Sequence, residues 1–180
     1  MEWMRNDIVG ELTNPFTGQQ QTQYWGAGPR EVSFTFQSMS NAQALAFVAW
    51  MESLQGILNL FQLGDPLNTS TQGTITGTYI VNGANQTGFS LITSGGSGLR
   101  VADWIQVNVP SMSIGYLYRV TSLSGGTLGL YPSLRVSPNN GDTVIVSNTT
   151  GLWRLKENSG KHSVRETKMY GISIDAREAY

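Results

Sequence analysis

A catalytic triad in this chain would have to be built on His162, because the sequence holds a single histidine. A hydrolytic serine would also need the strained turn G-x-S-x-G that lifts its hydroxyl clear of its neighbours. Gly95-Gly96-Ser97-Gly98-Leu99 misses that spacing, so His162 reads as a surface residue in a charged turn-to-strand stretch. The absence of cysteine excludes disulfides, thiolate zinc sites and thiol catalysis together. An all-oxygen cation site would draw on Asp7, Asp65, Asp103, Asp142 and Asp175, which are dispersed and form no Asp-x-Asp-x-Asp loop. Paired carboxylates for glycoside hydrolysis are placed by the fold rather than by sequence spacing. Asp103 and Asp142 each stand just before a strand, where an aspartate commonly bonds its own turn backbone. Gly26-Ala27-Gly28 runs straight into Pro29 with no Gly-Lys-Ser/Thr, so it is no phosphate loop. The expectation is a chain without catalytic, cofactor-binding or metal-binding residues, and without a cofactor.

Two other groups of residues invite a binding role. Tyr24, Trp25, Phe34 and Phe36 could form a ligand platform, yet Val32, Phe34 and Phe36 alternate with polar residues. Same-face strand positions bury together, so Phe34 and Phe36 are expected in the core. Arg154, Lys156, Lys161, Arg165 and Lys168 concentrate basic charge, but Glu157 and Glu166 interrupt them, as on a solvated hairpin face. A formal net charge of −1 argues against a polyanion partner, including sequence-specific nucleic acid. No apolar run approaches the roughly 18 residues a membrane span needs. The opening Met1-Glu2-Trp3-Met4-Arg5-Asn6-Asp7 lacks the apolar stretch of a signal peptide. The glycosylation-like triplets at Asn68, Asn85 and Asn148 then read as products of an Asn/Thr-rich composition.

The elements that would carry these residues are mostly strands. Charged residues make up 13% of the chain, about half the usual share. Gly, Ser, Thr, Asn and Gln replace them and suit tight turns and pleated surfaces. An irregular strand near the start, a turn at Asn14-Pro15-Phe16-Thr17-Gly18 and a strand over 30–37 precede one amphipathic helix. Ser40 caps that helix, Ala44, Leu45, Phe47, Val48, Met51 and Leu54 recur at helical spacing, and Gly56 stops it. Residues 57–63 read as a returning strand. From Leu67 the texture becomes Thr/Ser/Gly/Asn-rich, with short strands at 78–81, 88–93, 104–109, 114–122, 127–131 and 143–147. Turn spacing of roughly 8–12 residues suggests a small barrel or sandwich. The first texture returns after Thr150. The predicted organisation is mainly β with one helix: residues 1–66 plus 151–180 form one domain, and 67–150 an inserted β-domain.

The stretch from Tyr24-Trp25 through Arg30-Glu31-Val32-Ser33-Phe34-Thr35-Phe36 and Ala44-Leu45-Ala46-Phe47-Val48-Ala49-Trp50 to Gly64-Asp65-Pro66 resembles tail proteins of tailed bacteriophages. Gln86-Thr87-Gly88, Ala102-Asp103-Trp104-Ile105-Gln106, Tyr116-Leu117-Tyr118-Arg119-Val120 and Pro132-Ser133-Leu134-Arg135 fit the same pattern. The nearest group is the distal tail or tail-tube-like proteins. The resemblance implies a β-sandwich with one flanking helix, assembled as a hexameric ring around a central channel through which DNA could pass. The inserted β-domain would face outward. It further implies contacts with tube, hub, tip or fibre proteins, and a location in the virion tail after synthesis in the host cytoplasm. The closing strand with Lys168, Tyr170, Ile172 and Ile174 is the expected subunit-interface strand.

Physical chemistry points the same way: docking strands edge-to-edge between copies removes edges that a lone sheet guards with charge, and Lys and Glu are scarce here. Two alternatives stay open at this stage. A carbohydrate- or receptor-binding β-module would expose Trp104 or Tyr116 beside a carboxylate. An enzyme would depend on Asp103 or Asp142.

Overall fold

The computed structural model describes residues 1–108, 115–158, 161–164 and 170–180. The chain is mainly β with one helix among the described residues. It divides into two compact units, Met1–Phe61 with Trp153–Ala179, and Gln62–Leu152 with Tyr180. The change in texture had placed the joins a few residues away, at 66/67 and 150/151. The described helix is too short and too polar at its ends to be a membrane span.

The first unit contains β1 (Glu2–Met4), β2 (Asp7–Thr13), β3 (Gln20–Ala27), β4 (Glu31–Met39) and α1 (Asn41–Ser53). Its later strands are β5 (Phe61–Leu63) at the join, then, beyond the second unit, β12 (Gly151–Leu155), β13 (Lys161–Val164) and β14 (Tyr170–Glu178). One sheet runs β1-β4-β14-β12-β5, with β13 also pairing β14. Antiparallel register sets Val32 opposite Ala176, Phe34 opposite Ile174 and Phe36 opposite Ile172. These residues share a face, as cross-strand partners must. Trp3 and Trp153 extend it, meeting edge-to-face at 5.5 Å. The reverse face is polar: Thr35 and Ser173 share a hydroxyl hydrogen bond of 3.0 Å, and Lys156 pairs with Glu31 at 2.7 Å. One covered and one wet face is the usual economy of an antiparallel sheet.

Helix α1 lies on the apolar face, with Ala44 packed against Ile172 and Ile174. The Gln43 side chain accepts the Ser40 backbone N–H at 3.2 Å, one half of a capping box. Gly56 ends the turn with φ +67°, and a side chain there would meet Asn158. Leu45, which recurs at helical spacing, is exposed, because α1 is apolar on nearly every side and one sheet covers one side. Two expectations fail in this region. Phe36 is also exposed, since α1 covers its ring on one flank only. The predicted strand over 57–63 shrinks to the three residues of β5, because Asn59 instead closes the helix end by donating to Ser53.

The second unit holds β6 (Ile80–Val81), β7 (Ser90–Ser94), β8 (Trp104–Asn108), β9 (Gly115–Ser124), β10 (Thr127–Tyr131) and β11 (Val144–Ile145). They form one six-stranded sheet in the order β11-β8-β9-β10-β7-β6. Val81 N–H donates to Asp142 at 2.9 Å and Val144 N–H to Tyr79 at 2.9 Å, so the outer strands meet and the sheet nearly closes into a barrel. Alternating residues fill the interior, among them Leu91, Ile105, Val107, Tyr118, Val120, Leu128 and Leu130. Closure removes the sheet's open edges, the hazard of a lone β-sheet.

Candidate assembly surface

Outside the sheets just described, β2 and β3 form a two-stranded ribbon of their own. The sequence builds it from a stiff tip. Asn14 Oδ1 accepts the Phe16 N–H at 2.9 Å, and Gly18, at φ +68°, returns its N–H to the Asn14 carbonyl at 2.9 Å. This is the Asx-type turn that Asn, Pro and Gly favour. The register pairs Thr13 with Gln20 at the tip and shifts between Ile8 and Val9, leaving Trp25 as an extra residue in β3. Gly10 allows the Trp25 ring to lie over it: a Cβ at Gly10 would stand 2.8 Å from the indole nitrogen.

The ribbon therefore has two unlike faces. Ile8, Leu12 and Trp25 line one, together with Gln21 and Gln23. Asp7, Val9, Glu11, Thr22 and Tyr24 line the other, where the Tyr24 hydroxyl reaches Asp7 at 3.4 Å. Both faces stand in solvent beyond the base, where Ala27 is buried. Phe16 is 95% exposed, Leu12 71% and Trp25 67%, values far from those of side chains a chain buries within itself. An isolated two-stranded ribbon is marginal in water, and exposed flat edges are usually guarded by lysine. Residues 7–27 hold no basic residue at all. The irregular strand expected near the start and the turn at Asn14–Gly18 both belong to this ribbon; only β3 has no counterpart in the sequence reading, because the polar run Gln19–Gln23 shows no apolar alternation.

A second uncovered apolar surface lies between α1 and β4. Phe36, Met39, Gln43, Ala46, Phe47 and Trp50 line an open groove of about 550 Å³. A chain of tilted and edge-to-face rings runs Phe34, Phe36, Phe47, Trp50 at 5.0–5.5 Å between centroids, and the last three line the groove. The helix beside it carries no acidic residue in its first turn and no basic residue in its last.

The strand expected at a subunit interface takes a different place. Strand β14 pairs with β4 on one side and with β12 and β13 on the other, so its backbone is used within the chain. Ile172 and Ile174 are core residues of the first unit, pointing under α1. They cannot be offered to a neighbour, and the expectation for these two residues is corrected. Tyr170 begins the strand opposite Met39. Lys168 lies outside the described residues, as do Arg165 and Glu166. His162 belongs to β13 through its backbone, opposite Ile172.

The carboxylates considered for chemistry serve the backbone of the second unit. Asp103 accepts the N–H groups of Gln72 at 2.9 Å and Arg100 at 2.7 Å. Asp142 accepts that of Asn139 at 2.8 Å. Among the described residues, no three His, Cys, Asp or Glu converge as metal ligands would. Of the two aromatics named for the glycan-binding alternative, Trp104 is buried beneath the Arg119 guanidinium at 4.1 Å, with its indole N–H donating to Asp65 at 3.2 Å, and Tyr116 is half-buried against the barrel core.

Asp65 ties the chain entering the barrel unit to the outer face of β8. Burial alone would raise its pKa. The Asn68 amide at 2.8 Å, the Leu67 N–H at 3.0 Å, the Trp104 indole and the Arg119 charge together outweigh burial and hold it below 3.8. A lowered carboxylate pKa gives stability that is present in full above the unfolded value, roughly 3.9, and is lost as pH falls through the folded one. Asp65→Asn should therefore lower the urea midpoint at pH 7 and narrow the difference between pH 7 and pH 3. An unchanged difference would show that this carboxylate contributes nothing to acid sensitivity.

No protein-family model matches the chain, and no curated protein matches it in sequence.

Proposed function

We propose that this chain is a structural protein of a phage tail, a distal tail or hub ring that self-assembles around a channel and joins the tail tube to tip components. The observation that carries the reading is the β2–β3 ribbon: a two-stranded sheet of its own, carrying exposed Ile8, Leu12, Phe16 and Trp25, whose outer edges hold no basic residue between positions 7 and 27. Such edges are satisfied when the same strand from another copy docks alongside, and cyclic repetition of one heterologous contact closes on itself. The low charge of the chain supports this, because bare charges are depleted where interfaces are buried. The function is then mechanical. Copies of the first unit make the ring, and the barrel unit is a compact appendage whose own edges are already closed.

Electron microscopy of the purified protein, with sedimentation velocity across a concentration series, tests the proposal. Rings with a central opening are expected. A chain that stays a single-copy species at every concentration overturns it.

A further inference from the structure

We infer that the groove between α1 and β4 is the seat for the hairpin tip of a second copy of this chain, with Phe16 as the anchor. This rests on the self-assembly proposed above and names the contact that makes it. Both surfaces belong to the first unit and both stand open, so neither covers the other within one chain.

Their chemistry matches. Residues 12–23 contain no charged side chain, and none of Phe36, Met39, Gln43, Ala46, Phe47 and Trp50 is charged. An uncharged tip entering an uncharged aromatic groove desolvates no ion, whereas a charged partner would leave its charge unmatched. The volume, about 550 Å³, falls within the roughly 300–1,000 Å³ typical of pockets that enclose a compact apolar group. The tip is preorganised by its Asn14 turn, so little freedom is lost on docking. A rigid aromatic side chain in an apolar pocket is the usual form of a binding hot spot.

Area supports a second copy as well. Beyond the groove, the ribbon laid lengthwise on the second copy also brings Ile8 and Trp25 against it; with ~150–250 Å² per aromatic side chain, the exposed parts of Phe16, Leu12, Trp25 and Ile8 then come to about 500 Å². Doubled by the surface they cover, this reaches the roughly 1,000 Å² at which a specific interface becomes credible. Tip and groove are different surfaces of one chain, so the contact is heterologous and propagates from copy to copy until it closes.

Two substitutions at exposed positions test it in the full chain: Phe16→Asp, which spoils the tip, and Ala46→Lys, which spoils the groove. Circular dichroism identical to the parent's confirms that each variant keeps its fold. Each alone should sediment as a single copy. An equimolar mixture should give a two-copy species and nothing larger, since one intact tip then meets one intact groove. Because the chain has no cysteine, mixing and oxidising Thr17→Cys and Ala46→Cys chains, which keep the Phe16 anchor, reads the same contact independently, as a disulfide between the two kinds of chain. Variants that assemble like the parent, or a mixture that yields neither the two-copy species nor the disulfide, overturn the docking and leave ring formation standing. A parent that never assembles instead removes the functional proposal itself.

Discussion

Replacing Glu178 with alanine should cost the first unit about 3–5 kcal/mol and lower its thermal midpoint by roughly 10–20 °C. Glu178 closes the last turn of the β4–β14 ladder: its N–H donates to the Arg30 carbonyl at 2.8 Å. Its carboxylate meets Arg30 Nη2 at 2.6 Å and Nε at 3.2 Å, and accepts the Arg30 backbone N–H at 3.3 Å. Both side chains are almost fully enclosed, at 5% and 2% exposure. Ionic attraction gains little over the cost of drying both ions, so the pair as a whole is a weak source of stability. Removing one partner is another matter, because the guanidinium stays buried with its main counter-charge gone. The double variant Arg30→Met/Glu178→Leu should therefore recover most of the loss. A single variant that melts within a few degrees of the parent would mean that water already reaches Arg30. The exposed pair Lys156–Glu31 differs: hydrogen bonding to Glu31, and then its charge, raise the Lys156 pKa, but solvent screens the contact.

Where one face of a strand is buried, the sequence is readable. Leu91 in β7 alternates with exposed neighbours and Leu128 and Leu130 in β10 with half-buried ones, and each strand lies within a few residues of its predicted span. Gly56 and Ser40 likewise mark the ends of α1 through chemistry confined to one turn. The failures share a different cause, which is that the deciding partner is remote. Strand β8 is buried on both faces, because chain segments far away in sequence cross its outside: Thr150 donates to Gln106, and Asp65 receives Trp104. Helical spacing put Phe47, Val48, Met51 and Leu54 on an inner side, and of these only Leu54 is fully buried, because α1 is so uniformly apolar that periodicity could not say which side the sheet would take. The returning strand of the ribbon was hidden for a related reason. Strand β3 is held by backbone pairing and polar side chains, so apolar alternation, the strongest strand signal, is missing there. The two surfaces argued to assemble are thus the ones where local pattern and burial disagree.

In the second unit the Thr/Ser/Gly/Asn-rich sequence over 67–77 reads as a connector with almost no charge, and its glycines show that it is closely packed. Gly98→Ala should destabilise that unit by about 3–5 kcal/mol, combining backbone strain with overpacking. Gly98 adopts φ +100°, a conformation L side chains rarely take, and a Cβ there would run into the Thr74 carbonyl and stand 3.2 Å from the Ile75 Cα. Those neighbours cannot yield cheaply. Thr76 and Ser97 exchange backbone hydrogen bonds of 3.1 and 2.9 Å, and the N–H of Leu99 donates to the buried Tyr79 hydroxyl at 3.1 Å. Gly73 faces the Gly98 carbonyl and Gly77 that of Gly95, so two chain segments lie backbone against backbone with no space for side chains. Gly125 supplies the control: it too has positive φ, at +55°, but nothing lies within 4 Å of its added Cβ. Gly125→Ala should cost about 1–2 kcal/mol from the left-handed backbone alone. The difference between the two urea midpoints then measures the crowding. Equal losses at both positions would reduce the effect at Gly98 to conformation and leave 67–77 no more than a connector.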